Sequence, residues 1–303
     1  MSARNYHSIT CKSAINRVTG MPFNWSLNPY RGCVHACHYC YARATHSFLG
    51  LNADDDFERE IFAKVNIAEV LDRELTRPSW KRESVAIGTA TDAYQPIEGH
   101  LKLTRSCLET FIRHRSPATV VTKSKLVARD LDLWKELSVV ANARVYFTIT
   151  TLDEEIWRVA EPGTPPPSVR LATLRTLSAA GVPTGVLMAP VLPGITDSEE
   201  SIMAVANAAA DAGARSFTAL PLRLDPLVKE HYFAWVARTY PELLRRYQRS
   251  FPLRHLSKDY QERIGAISDA ARERFGLTER RARGTGSLPK PVVTQLTLVP
   301  VSA

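Results

Sequence analysis

From residue 67 onward the chain alternates between two hydrophobic rhythms. Ile67, Val70, Leu71 and Leu75 recur at helical spacing, with Pro78 beyond the end. Residues 83–91 (ESVAIGTAT) read as a buried strand. Residues 103–115 are amphipathic, with Leu103, Cys107, Leu108, Phe111 and Ile112 on one face. Strands follow over 118–124, 143–152, 182–191 and 214–220, and helices over 126–137, 169–180 and from Thr196 or Asp197 to Ala212. Ser168 is the expected cap of the helix that Gly181 ends. With a short strand in 23–30, about six strands alternate with helices, which predicts a parallel sheet covered by helices, open or closed toward a barrel. In either form functional residues gather at the C-terminal ends of the strands.

Residues 1–22 read as an irregular lead-in, 23–224 as the α/β body, and 225–303 as a basic, mainly helical extension. In the extension, 228–235 and 243–247 are helical and rich in aromatics, and 260–275 is a further helix. An Arg/Gly/Pro-rich run over 278–290 and one final strand over 292–301 complete it. Asp54-Asp55-Asp56 reads as a helix start or solvated loop, since no spaced carboxylate or glycine pattern surrounds it.

The chain has 303 residues, 45% hydrophobic, enough for one barrel of roughly 200–250 residues with an appendage. No stretch approaches the about 18 apolar residues of a membrane span, and the N-terminus lacks the apolar core of a signal peptide. The expected location is cytoplasmic, with no membrane partner, and there clustered cysteines are metal ligands rather than disulfide partners. Net charge is +8; between Pro221 and Lys290, 15 Lys/Arg stand against 8 Asp/Glu. The excess therefore belongs to the last quarter, which suits a nucleic acid or is a solvated Arg-rich surface.

Three of the five cysteines, Cys33, Cys37 and Cys40, fall within eight residues as C-x3-C-x2-C. Three thiolates on one tight loop wrap an inorganic core and leave one metal position open, which points to chemistry rather than scaffolding. With His35, His38 or His46 they also make up a Cys3His zinc set. Cys107 reads as a core residue, and Cys11 as a spare thiol. Each later strand ends in polar groups: Thr89, Thr91 and Asp92; Thr122, Lys123 and Ser124; Thr148, Thr150, Thr151 and Asp153; and Pro190 in the fifth. Converging on the cysteine loop, they suit a zwitterion bearing a sugar: Lys123 for its carboxylate, Asp92 for its amine, threonines for ribose hydroxyls.

The cysteine loop with an aromatic before its last cysteine, heading six βα units, resembles the radical S-adenosylmethionine (SAM) superfamily. Asn28-Pro29-Tyr30-Arg31-Gly32-Cys33, Cys40-Tyr41-Ala42-Arg43 and Thr91-Asp92-Ala93-Tyr94-Gln95-Pro96-Ile97-Glu98 resemble the branch related to spore photoproduct lyase. The resemblance spans about Ser13 to Leu224. It implies a partial (β/α)6 TIM-like barrel and a 4Fe–4S cluster on Cys33, Cys37 and Cys40 with SAM on the fourth iron. It also implies a 5′-deoxyadenosyl radical that abstracts hydrogen from a substrate, nucleic acid among the candidates, and an electron donor such as flavodoxin or ferredoxin. By position, Thr91 and Asp92 fall where the family handles the methionine amine. Lys123 and Arg170 are candidates for its carboxylate, Thr148 or Thr150 for the ribose, and Tyr39 and Pro190 for the adenine. Thr89 stands where the lyase keeps a hydrogen-donating cysteine, so a radical reaction other than the lyase's is expected. Spore photoproduct lyase-type DNA repair, a zinc-binding nucleic-acid module and a non-catalytic barrel are the competing readings.

Overall fold

The computed structural model describes residues 4–279. Strands β1 (Asn5–Ile9), β2 (Ile15–Arg17), β3 (Trp25–Leu27) and β4 (Tyr30–Arg31) precede the first helix, α1 (Asp55–Arg59). Then come β5 (Glu60–Lys64), α2 (Ile67–Leu75), β6 (Val85–Ile87), α3 (Glu98–Leu101), α4 (Leu103–Arg113), β7 (Ala118–Thr122), α5 (Leu131–Val140) and β8 (Arg144–Thr148). The chain continues with α6 (Glu154–Ala160), α7 (Pro167–Ala179), β9 (Thr184–Val191), α8 (Glu199–Asp211) and β10 (Ser216–Pro221). Helices α9 (Pro226–Thr239), α10 (Leu244–Ser250) and α11 (Lys258–Arg274) end it.

The main sheet has the order β10-β9-β8-β7-β6-β3-β2. Its strands β3 and β6 to β10 are parallel neighbours in chain order, each pair joined through helical crossovers. This is the partial barrel of six parallel strands. β6 and β8 are buried along their whole length, as strands covered on both faces must be. The apolar face of α2 and that of α4 close over them, with Ile67, Val70, Leu71, Cys107, Leu108 and Phe111 inside one continuous core.

The described part of the lead-in, residues 4–22, is not irregular throughout. β2 pairs antiparallel with β3 and adds an edge to the main sheet. β1 pairs in parallel with β5, which also takes β4 antiparallel, as a small second sheet. β1 is largely exposed, so it carries no alternation to read. Other boundaries move for local reasons. The helix expected over 126–137 splits into a 3-10 turn, Lys125–Asp130, and α5. Pro166 rather than Ser168 caps α7, because Pro167 occupies the first turn, where its missing N–H costs nothing. Ser198 caps α8. Helix α6 was not anticipated; Asp153 caps it through the Glu155 and Ile156 amides. The aspartate run does start a helix, α1. Cys107 is a core residue on α4, and Cys11 packs against the same core.

The basic extension is not an appendage in space. α11 packs along the sheet edge, where Ser268 Oγ accepts the Ala219 amide at 3.0 Å. α9 and α10 join Cys37 and Tyr39 in a second core built from Tyr232, Trp235, Val236, Tyr247 and Phe251. The final strand expected over 292–301, and nearly all the Arg/Gly/Pro run before it, lie outside the described residues. Among the described residues, no helix is long and apolar enough to cross a membrane.

Candidate radical SAM active site

The cysteine loop leaves β3 through β4 and stands at the C-terminal rim of the parallel strands. It is held by its backbone. The Cys33 amide donates to Phe57 O at 2.9 Å and the His38 amide to Ala160 O at 3.1 Å. The buried Arg43 guanidinium spans the loop, with Nε on Cys37 O at 3.0 Å and Nη2 on Ala36 O at 3.0 Å and on Glu58 at 2.8 Å. Gly32 enters with φ +78°, and a Cβ there would stand 2.7 Å from Glu60 O. Trp235 of α9 stacks on His38 at 5.4 Å and donates from Nε1 to Val159 O at 3.0 Å.

All three thiols are free; Cys33 and Cys37 are buried and Cys40 is half-buried. Burial pushes the Cys33 thiol well up, with Asp92, Cys40 and Cys37 adding to it. Burial pushes Cys37 up to about 12, against the pull of Lys123. Dry thiols on one loop, near enough to repel one another's charge, are a donor set that fits an iron–sulfur cluster, whose irons replace their protons. The histidines a zinc site would need are engaged elsewhere. His35 Nδ1 lies 3.2 Å from Asp92 Oδ2, His38 bonds His231 at 3.1 Å, and His46 bonds Glu60 O at 3.1 Å.

Asp92, at the end of β6, is fully occupied. Oδ1 accepts from the Tyr94 amide at 2.8 Å and Thr122 Oγ1 at 2.7 Å; Oδ2 accepts from the Lys123 amide at 2.8 Å and faces His35. Burial alone would raise its carboxyl, but His35 and these donors hold it down at about 2. Asp92 thus ties the ends of β6 and β7 to the cysteine loop. Thr91 does related work: its Oγ1 donates to Gly32 O at 2.6 Å and accepts from Gln95 Nε2 at 3.1 Å. Thr89 Oγ1 accepts from Asn28 Nδ2 at 3.3 Å, while its carbonyl accepts from the Tyr41 hydroxyl.

Arg170 is buried and its guanidinium is taken up by protein partners. It donates to Pro165 O at 2.8 Å and Thr148 O at 3.0 Å, and pairs with Glu161. Thr150 Oγ1 also donates to Glu161, at 2.8 Å, as does the Tyr39 hydroxyl. Thr148 ends β8 as a buried residue, and Pro190 lies half-buried near the end of β9. Lys123 differs from Asp92, Thr91, Thr150 and Arg170. Its Nζ lies 5.5 Å from the centre of the Tyr39 ring and has no hydrogen-bond acceptor among the described residues. Burial would lower its pKa, but Cys37 and Glu161 raise it, so it is a held, uncommitted cation.

Sequence reasoning missed Glu161, Gln95 and Arg43 as site residues. Gln95 accepts from the Val34 amide at 3.2 Å and donates to Gly32 O at 3.2 Å. Gln95 and Arg43 lie inside the motifs that carried the family resemblance. Glu161 heads a Pro/Gly run and gives no signal of burial.

Two outcomes follow from this geometry. A Cβ on Gly163 would stand 2.3 Å from Val34 O and 2.9 Å from His35 Cα, both backbone. Gly163→Ala is therefore expected to cost about 1–3 kcal/mol and to displace the cysteine loop, read as lost iron and sulfide after reconstitution. Asp92 and Glu161 are both held at about 2, below their ordinary 3.8 and 4.5. For Glu161 burial opposes the shift, and Arg170, Lys123 and Tyr39 overcome it. A depressed carboxyl stabilises the fold above its unfolded value, so stability is expected to fall as pH drops from about 4.5 toward 2. Urea midpoints across that range check it, and Asp92→Asn should flatten part of the slope.

Comparison with known proteins agrees with the loop and the sheet. A family model, the Radical SAM superfamily, matches residues 27–206. An uncharacterized protein of Mycobacterium tuberculosis is 38% identical over 98% of this chain and 87% of its own length. One from Methanocaldococcus jannaschii is 29% identical over 63% of this chain and 69% of its own. A doubly substituted spore photoproduct lyase with bound AdoMet and dinucleoside spore photoproduct superposes with TM-score 0.68 at 18% identity, covering 89% of this chain and 79% of the lyase. A lyase complexed with dinucleoside spore photoproduct gives 0.65 at 18% identity, with the same coverage. The family implies SAM and a 4Fe–4S cluster, and the free thiols at the rim are a donor set for them. With a three-cysteine loop at the rim of six parallel strands and the family model spanning more than half its length, the chain belongs to the radical SAM superfamily and is an enzyme of that class.

Proposed function

We propose that this enzyme holds a 4Fe–4S cluster on Cys33, Cys37 and Cys40, binds SAM beside it, and abstracts a hydrogen atom from its substrate. The observation that carries this reading is the uncommitted Lys123 ammonium over Tyr39, beside three buried or half-buried free thiols. When bound, cluster and SAM supply one-electron cleavage of the sulfonium and a 5′-deoxyadenosyl radical. The chain's own residues do the rest. Lys123 offers a cation to the SAM carboxylate. Tyr39 and Pro190 offer apolar surface for the adenine, and Thr148 lies at the strand end nearest the ribose role. Asp92, Thr91, Gln95 and Arg43 act by holding the loop in place. The aromatic layer of α9 and α10 keeps water from the loop's inner side.

The substrate class proposed is nucleic acid, supported by the surplus of Arg and Lys from Pro221 to Lys290. The solved lyases carry a dinucleoside spore photoproduct, and this chain has their fold. The reaction is not the lyase's own, because Thr89 stands in place of its thiol and an O–H bond is too strong to give up a hydrogen atom in its stead. Cys107 lies in the main core, and Cys11 packs against it from a half-buried position. Reduced flavodoxin or ferredoxin is the proposed electron donor.

Anaerobically reconstituted protein, reduced with dithionite, is expected to be brown and to form 5′-deoxyadenosine from SAM. A brown protein that never cleaves SAM would favour a non-catalytic barrel, and a colourless one with a single zinc would favour the zinc module. DNA and RNA binding is expected to weaken steeply with salt; no binding at low salt ends the nucleic-acid reading.

A further inference from the structure

Glu161 is wholly buried at the end of α6, 11 residues after Thr150 and 122 after Tyr39, yet it joins both. Its Oε1 accepts from the Tyr39 hydroxyl and from Thr150 Oγ1 at 2.8 Å. Its Oε2 accepts from Arg170 and from Thr164 Oγ1 at 3.3 Å. Arg170 and Thr164 thus fix one oxygen, and the other clamps a tyrosine that lies between two cluster cysteines. The Tyr39 ring carries the Lys123 ammonium on its face at 5.5 Å. Lys123 Nζ has no hydrogen-bonding partner of its own among the described residues, and it lies over the Tyr39 ring face.

We infer that Glu161 is a positioning residue for SAM: by clamping the Tyr39 hydroxyl it fixes the ring that holds the Lys123 ammonium ready for an amino-acid carboxylate. The inference rests on the SAM-binding reading above. A lysine loses much rotamer freedom when it binds, and that cost is lower where its stem is already held. The clamp lowers it in advance. Without the clamp the Tyr39 ring is free to tilt, and the ammonium loses its rest.

The test is SAM binding to the cluster-loaded protein without reductant, by equilibrium dialysis, so that no turnover enters. Tyr39→Phe removes one hydroxyl and leaves Thr150 and Arg170 on Glu161. It is expected to keep its iron and to weaken SAM about tenfold, the size typical of losing a supporting hydrogen bond around a metal site. Glu161→Gln is expected to weaken SAM similarly, and the double variant no further than Glu161→Gln alone. Decarboxylated SAM separates positioning from simple pocket shape: its affinity is expected to be the same in wild type and Tyr39→Phe. Equal SAM binding by Tyr39→Phe and wild type overturns the inference. So does an equal loss of SAM and decarboxylated SAM. If Glu161→Gln does not fold, Tyr39→Phe alone decides. If wild type binds no SAM, the cofactor reading fails, and the inference with it.

Discussion

Cys37→Ala protein is expected to come off an anaerobic column colourless, with iron near background, and to make no 5′-deoxyadenosine from SAM. Two thiols remain, too few to hold a four-iron cluster with an open site. The fold should survive. Cys37 is buried among Tyr39, Leu192, Leu222 and Trp235, and removing one sulfur there costs on the order of 1 kcal/mol. The bonds that shape the loop, from Cys33 N to Phe57 O and from Arg43 Nε to Cys37 O, use backbone atoms that alanine retains. The control is Cys107→Ala, in the main core, which should lose some stability and keep its iron. Iron and sulfide assays beside a urea midpoint read both. A Cys37→Ala protein with a normal iron content would remove the site assignment.

Arg170→Leu is expected to be the most destabilising single change at the site, at about 3–5 kcal/mol. Arg170 and Glu161 are both essentially inaccessible and pair directly. Leucine would leave the Glu161 carboxylate buried without its directly paired cation, although the Lys123 charge and the Tyr39, Thr150 and Thr164 hydroxyls remain. The desolvation that the ion pair offsets would then stand alone. Urea denaturation measures the loss. Arg170→Leu with Glu161→Leu should recover part of it, because two apolar groups carry no uncompensated charge. A double variant no more stable than Arg170→Leu would mean that packing, not charge, explains the damage.

The parts legible in the chain were those with a local or periodic signal. Cys33, Cys37 and Cys40 lie within eight residues, so one loop declares them. β6, β7, β8, β9 and β10 are apolar runs, and α2, α4 and α8 show helical spacing with a boundary residue near each end. β1 escaped because an exposed short strand takes its identity from the strand beside it, here β5. Glu161 escaped because its partners Tyr39 and Thr150 come from the cysteine loop and from just beyond β8. The extension looked like an appendage because nothing in residues 226–250 tells that Trp235 stacks on His38 or that His231 bonds it across 193 residues.

The sequence by itself determined the order of six strands, the thiol loop at their rim and the polar character of each strand end. These follow from period, spacing and burial, which act over a few residues. Only the tertiary structure decided which polar ends are spent on protein partners. Asp92, Thr91, Thr150 and Arg170 look alike as rim residues, yet each is consumed by partners brought from elsewhere in the chain. Lys123, by contrast, lies over a ring face with its ammonium's hydrogen-bonding capacity unspent among the described residues. That difference is set by long-range contacts, because a buried polar group is satisfied by whatever donors and acceptors the fold brings to it.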